Sequence, residues 1–177
     1  MSHSSAVSGP LPTIPPILAL AIRPLPLFPL QLVLSGFLQN ILRRNPGLLD
    51  RLGEHRRARF GIKPVDLPFA FVVEAAPPRL LVVRELPQNL DARVSASLAN
   101  LLALVEGRMD GDALMFSRQL GIEGDVEAVL ALRNAIDDAG LDLAGELALQ
   151  FGPLGGPARR SFEFARDRLT GSPGEPR

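Results

Sequence analysis

Residues 106–138 read EGRMDGDALMFSRQLGIEGDVEAVLALRNAIDD and change texture three times within 33 residues. Asp110-Gly111-Asp112 has turn chemistry and opens a loop or a short turn of helix through Met115 and Phe116. Arg118-Gln-Leu-Gly-Ile-Glu123 reads as a strand. Gly124-Asp125 then turns the chain, and Asp125 is placed to cap a helix marked by Val129, Leu132 and Ile136. That helix ends near Gly140, a residue free to adopt the left-handed cap. Arg133 and Asp137 stand four apart on it, the spacing of a helical ion pair.

Upstream of this stretch, Leu98, Leu101, Leu102, Val105 and Met109 recur at helical spacing, with Ser95 or Ser97 as the cap. Before them come runs rich in β-branched and aromatic residues, separated by proline-containing turns: Phe60–Ile62, Phe69–Val73 and Arg79–Arg84, with a weaker alternating run Ala92–Ala96. Pro77-Pro78 marks a tight connection between the second and third. Helices, a strand meander, helix, strand, helix is the order of an α+β fold: a mostly antiparallel five-stranded sheet covered by helices on one face.

Further out, residues 24–42 carry no charge, which approaches transmembrane length, but three prolines, a glycine and several polar residues argue against spanning. The pattern is that of an amphipathic helix from about Pro29, with Leu30, Val33, Leu34, Phe37, Leu38 and Ile41 on one face. Arg43 and Arg44 close it, where they complement the helix dipole. Asn45-Pro46 reads as the cap and first turn of a second short helix to about Arg57, with Leu48, Leu49 and Leu52 inward. Four segments result: a Pro-rich disordered arm 1–22, an amphipathic basic segment 23–57, a domain 58–151 and a flexible tail 152–177. Ala19-Leu20-Ala21 resembles a signal cleavage site, but no basic region precedes it and Pro15-Pro16 interrupts the apolar run.

Composition narrows the chemistry. The 177 residues contain no Cys, Trp or Tyr and only two His, which excludes a disulfide scaffold, a cysteine-ligated metal and a cysteine nucleophile. The net charge is zero but unevenly spread: residues 1–65 hold eight basic residues against two acids, and residues 66–157 hold six against 14. No Walker A loop, no Gly-x-Gly-x-x-Gly after a strand and no Gly-x-Ser-x-Gly elbow is present. His55 is the one plausible catalytic base and reads as a solvated helix residue. The acid pairs lack the pattern of a calcium loop. The basic cluster Arg43–Lys63 has one Phe and no Tyr or Trp for base stacking, so nucleic acid is not expected; anionic lipid fits better, because an apolar helix face lies immediately upstream.

Residues 106–125, with Arg118–Asp125 followed by Leu130–Asp137, resemble the hallmark of the sterol carrier protein-2 superfamily: a helix, a glycine, an Asp-containing turn, a Phe, a basic strand ending in glycine and a closing helix. The version here is most similar to the ubiquinone-biosynthesis accessory factors of the UbiT group. The likeness extends over about residues 25–140, is specific at 114–137, and includes Pro29–Arg44 as a leading amphipathic helix and Phe69–Leu86 as the first strands.

This resemblance implies a sterol-carrier-type domain with a hydrophobic cavity between sheet and helices. It implies a non-catalytic role without cofactor: holding isoprenoid quinone precursors or other lipids for oxygen-independent ubiquinone synthesis, beside iron–sulfur hydroxylases related to the U32 peptidases. Periodicity within the matching segment nominates Leu98, Leu101, Leu102, Val105, Leu114, Met115 and Phe116 as lipid-binding, although the same stripe is what a packed core would show. Leu34, Phe37, Leu38, Arg43 and Arg44 are the expected membrane-docking residues, for a cytoplasmic protein peripheral on an anionic inner membrane. Two other readings stand beside this one: a general phospholipid or sterol-type carrier, and a protein-interaction module with a filled core.

Overall fold

The structure, a computed structural model, describes residues 14–15, 26–108 and 111–140. Met109, Asp110, the last part of the expected domain (141–151) and the tail 152–177 lie outside the described residues, as does most of the arm 1–22. Helix α1 (Leu27–Arg44) leads into a 310 segment (Asp50–Arg57), then β1 (Arg59–Pro64), β2 (Ala70–Ala75), β3 (Pro78–Val83) and β4 (Ala92–Ala96). Helix α2 (Leu98–Val105), the short α3 (Gly111–Phe116), β5 (Leu120–Gly124) and α4 (Val126–Ala139) follow.

The five strands form one sheet in the order β3-β2-β1-β4-β5. Three of the four strand pairings are antiparallel, but β1 and β4 run parallel, Phe60 opposite Ala92 and Pro64 opposite Ala96, so the sheet is mixed. The reason lies in the connection. β3 ends at the opposite end of the sheet from where β4 begins, and residues 84–91 recross the sheet between them. Leu86 and Leu90 lie over Gly61 on the way: a Cβ there would stand 2.5 Å from Leu90 Cδ1 and 3.0 Å from Leu86 Cδ1. A glycine in mid-strand thus admits the crossover.

Residues two apart along each strand share a face. Phe60 on β1 and Ala92 on β4 meet Ala128 of α4, and Val94, Ala96 and Leu120 meet Leu114. The opposite face carries the ion pairs Arg59–Glu74 (2.9 Å) and Arg93–Glu123 (3.8 Å). An alternation of apolar and charged positions marks a sheet covered by helices on one side.

The caps fall where their chemistry dictates. Ser97 Oγ accepts from Asn100 N–H at 3.2 Å and starts α2; Asp125 Oδ1 accepts from Ala128 N–H at 3.0 Å and starts α4; Gly140 closes α4 at φ 55°. Asn45 differs from expectation. Its side chain donates to Ile41 O at 3.0 Å and closes α1, instead of opening the next helix. The following segment is 310, broken at Gly53 (φ 55°, ψ −123°), yet Leu48 and Leu52 are buried as expected.

Helix α1 lies along the outer strand β3. Leu27, Leu30 and Leu34 pack on the cluster Leu67, Phe69 and Val82, and Ile41 joins Leu48, Leu52 and Ala135. Gln31 adds a polar clamp: its Oε1 accepts from Val82 N–H at 2.6 Å and its Nε2 donates to Leu80 O at 2.5 Å. One side-chain amide therefore does for the edge strand what a neighbouring peptide group would.

Candidate functional site

Small residues seat the helices and large ones stand back from each other. The fully buried positions of α4 are two alanines: Ala128 against Phe60 and Ala92, and Ala135 against Ile41 and Leu52. On α2 the buried positions are Ala99, Asn100 and Ala103. The leucines and valines between these contacts point into a gap that the sheet does not fill.

That gap is a cavity of about 360 Å³, in the lower part of the range of ~300–1,000 Å³ usual for small-molecule sites. Its floor is Ile62 of β1, Val94 of β4 and Leu120 and Ile122 of β5. One wall is Leu101, Leu104 and Val105 of α2, with Gly111, Asp112 and Met115 of α3. The other wall is α4, through Val126, Val129, Leu130, Leu132, Arg133, Ile136 and Asp137. Among the described residues of the lining, Asp112, Arg133 and Asp137 carry charge, and none has a hydroxyl, thiol or imidazole. Arg133 Nε stands 3.5 Å from Asp137 Oδ2. Met115, Val126 and Leu130 line the cavity and are also exposed, so an apolar rim leads from solvent to interior.

Of the residues nominated from the sequence, Leu101, Val105 and Met115 line the cavity. Leu98 turns the other way and packs beside Leu67, Phe69 and Val82. Leu102 is half-buried and outside the lining. Leu114 is fully buried among Val94, Ala96 and Leu120, a core position, and Phe116 is 91% exposed. Sequence reasoning missed Leu104, the strand residues of the floor and the whole α4 wall. The signal for that wall was present: Val126, Val129, Leu130, Arg133, Ile136 and Asp137 follow helical spacing along one face.

The docking residues are also placed differently from the expectation. Leu34 and Phe37 pack inward against the protein's own clusters, because the apolar face of α1 covers the sheet edge. Leu38 is half-buried, and Arg43 and Arg44 are exposed at the helix end. The outer stripe of α1 carries Phe28 and Leu32, 75% and 65% exposed. No helix among the described residues is long and apolar enough to cross a membrane. His55 is half-buried, with Nδ1 3.5 Å from Asp125 Oδ2, so it braces the start of α4. No group of three His, Asp or Glu among the described residues is placed to hold a metal ion.

A mixed five-stranded sheet with helices over one face and an apolar cavity between them defines a small α+β domain built to enclose an apolar ligand. Residues 38–137 match the SCP-2 sterol transfer family, and the chain belongs to it. Among solved structures it is similar to the "UbiJ-SCP2 Ubiquinone synthesis protein", at 21% identity and a TM-score of 0.55, covering 67% of this chain and 98% of that one. It is also similar to the sterol carrier protein domain 2 of Helicoverpa armigera, at 15% identity and a TM-score of 0.46, covering 64% of this chain and 87% of that one. No curated protein matches the chain significantly by sequence.

Proposed function

We propose that this protein is a non-catalytic lipid carrier that holds isoprenoid quinone precursors as an accessory factor of oxygen-independent ubiquinone synthesis. The observation that carries the reading is the cavity, whose described lining is apolar except for three charged residues where α3 meets α4. Such a site supplies apolar volume and little chemistry. Each CH2 that it removes from water contributes about 0.8 kcal/mol, so a few isoprene units give useful affinity without polar contacts. A long polyprenyl tail exceeds the enclosed volume and would leave over the exposed rim of Met115, Val126 and Leu130. The likeness to the UbiJ-SCP2 ubiquinone synthesis protein supports the choice of ligand class. The UbiT-like signature at 114–137 supports the oxygen-independent branch and its iron–sulfur hydroxylases as partners.

In this reading the carrier works in the cytoplasm and visits the membrane to collect its ligand. Docking runs through the outer stripe of α1, where Phe28 and Leu32 are exposed and Arg43 and Arg44 follow at the helix end. A general phospholipid or sterol-type carrier is the second reading, favoured by the same apolar walls.

Blocking the cavity tests the proposal. Leu101→Glu places a carboxylate in the wall and abolishes retention of lipid through purification, whereas Phe116→Glu, on a side chain turned to solvent, leaves it intact. Equal retention by both variants would place the ligand elsewhere.

A further inference from the structure

Ile14, in the Pro-rich arm, is docked on the body of the protein. Its side chain packs on Leu67, Phe69 and Val82, the cluster that also holds Leu98. Its N–H donates to Asp66 Oδ2 at 3.1 Å. Asp66 lies in the turn between β1 and β2, and its other oxygen, Oδ1, accepts from Leu98 N–H at 2.9 Å. One carboxylate therefore joins the arm to the first turn of α2. The same turn is tied to the end of β4, with Val65 N–H donating to Ala96 O at 2.9 Å. Asp66 is thus held from the sheet, and it clasps Ile14 with one oxygen and Leu98 with the other.

This junction reaches the cavity through α2. The helix has eight residues, a length with little stability of its own. Its wall residues Leu101, Leu104 and Val105 begin about one turn beyond Leu98. Its start is held by the Ser97 cap, by Asp66 and by the packing of Leu98 in the cluster that Ile14 shares. The sequence around Ile14 favours docking. Pro12, Pro15 and Pro16 flank it, and a proline restricts both itself and the residue before it, so seating Ile14 costs little chain entropy.

We propose that Ile14 is a strap on the cavity wall: docked at Asp66 it holds the start of α2 in place, and undocked it frees that start, so that the wall gives way for a lipid to enter or leave. The effect on lipid passage rests on the carrier reading above; the effect on α2 does not. The contacts suit a device that opens. A hydrogen bond and a half-buried side chain hold Ile14, whereas Phe60 and Leu114 are fully buried in the core, so the strap belongs to the part of the molecule that opens most readily. The Ser97 cap stays when Ile14 leaves, and α2 loosens without unfolding.

The test uses the full chain and two variants. Ile14→Asp removes the apolar anchor, and Ile14→Pro removes the N–H that reaches Asp66. Both lie outside the sheet and the helices and leave the fold intact. Hydrogen exchange is measured without added lipid. The backbone amides of Leu101–Val105 should exchange faster by about fivefold or more in each variant, with those of β1 and β4 unchanged. Radiolabelled geranylgeraniol is then loaded on the protein, and its passage to phosphatidylcholine–phosphatidylglycerol vesicles should quicken in both variants. Protection of α2 equal to the wild type's, or a loss of protection spread equally over α2 and the sheet, overturns the strap. Faster exchange in α2 with unchanged transfer overturns its control of the cavity. A wild-type chain that takes up no geranylgeraniol overturns the carrier reading, and hydrogen exchange alone then decides the strap.

Discussion

Leu114 and Phe116 stand two residues apart in α3 and meet opposite surroundings, the first fully buried and the second 91% exposed. Between them Met115 reaches the cavity. Successive helical residues are rotated by about 100°, so a run of three apolar residues points in three directions. The sequence shows the run but not its phase, and only the packing partners β4 and β5 fix which residue faces in. Leu114→Ala should cost about 2–5 kcal/mol in urea unfolding, and Phe116→Ala should stay within about 0.5 kcal/mol. Similar costs for the two would mean that α3 packs in another rotation. Asn100 is the other residue whose role was hidden. Buried in α2, it donates to Gln119 Oε1 at 3.2 Å, and its own Oδ1 has no partner among the described residues.

At the scale of elements, α1 and α4 exchange the roles that their patterns suggest. α1 reads as a helix with a free apolar face, and that face instead closes the edge of β3, with Gln31 bonded to its backbone. Replacing Gln31 with Ala leaves two strand groups without a partner and should lower stability by about 1–3 kcal/mol in thermal or urea unfolding. An unchanged midpoint would show that water replaces the amide without cost. Membrane contact then belongs to the outer stripe. Phe28→Ser with Leu32→Ser should weaken binding to anionic vesicles at any salt, and reversing the charge of Arg43 and Arg44 should weaken it chiefly at low salt. Vesicle binding indifferent to both changes would remove α1 from the docking surface. α4 reads as an ordinary core helix, yet most of its apolar side chains face the cavity because its alanines make the close contacts. Its start is legible outright: Asp125 accepts from Ala128 N–H, and Asp125→Ala should cost about 1 kcal/mol.

For the whole molecule, the order of elements and the five strands are legible from residue type and turn chemistry, because those signals are local. The parallel pairing of β1 with β4 is not. It depends on which way residues 84–91 recross the sheet, and its one trace in the sequence is Gly61 beneath Leu86 and Leu90. The cavity was legible through resemblance in the stretch 106–138, not through composition: an apolar stripe looks the same whether it meets another side chain or a ligand. Ligand binding also acts on the molecule as a whole. A prenylated ring at about 100 times its dissociation constant should stabilise the fold by about 2.7 kcal/mol, read as a raised unfolding midpoint.

The most direct test of the carrier reading is to extract the natively purified protein with solvent, identify what it holds by mass spectrometry, and record its near-ultraviolet spectrum beforehand. With no Trp or Tyr, the protein absorbs little where quinones do. The carrier reading predicts a prenylated quinone or phenol in the extract, with any quinone band bleaching on borohydride reduction. A protein that yields no such lipid and takes up none when it is added would contradict it.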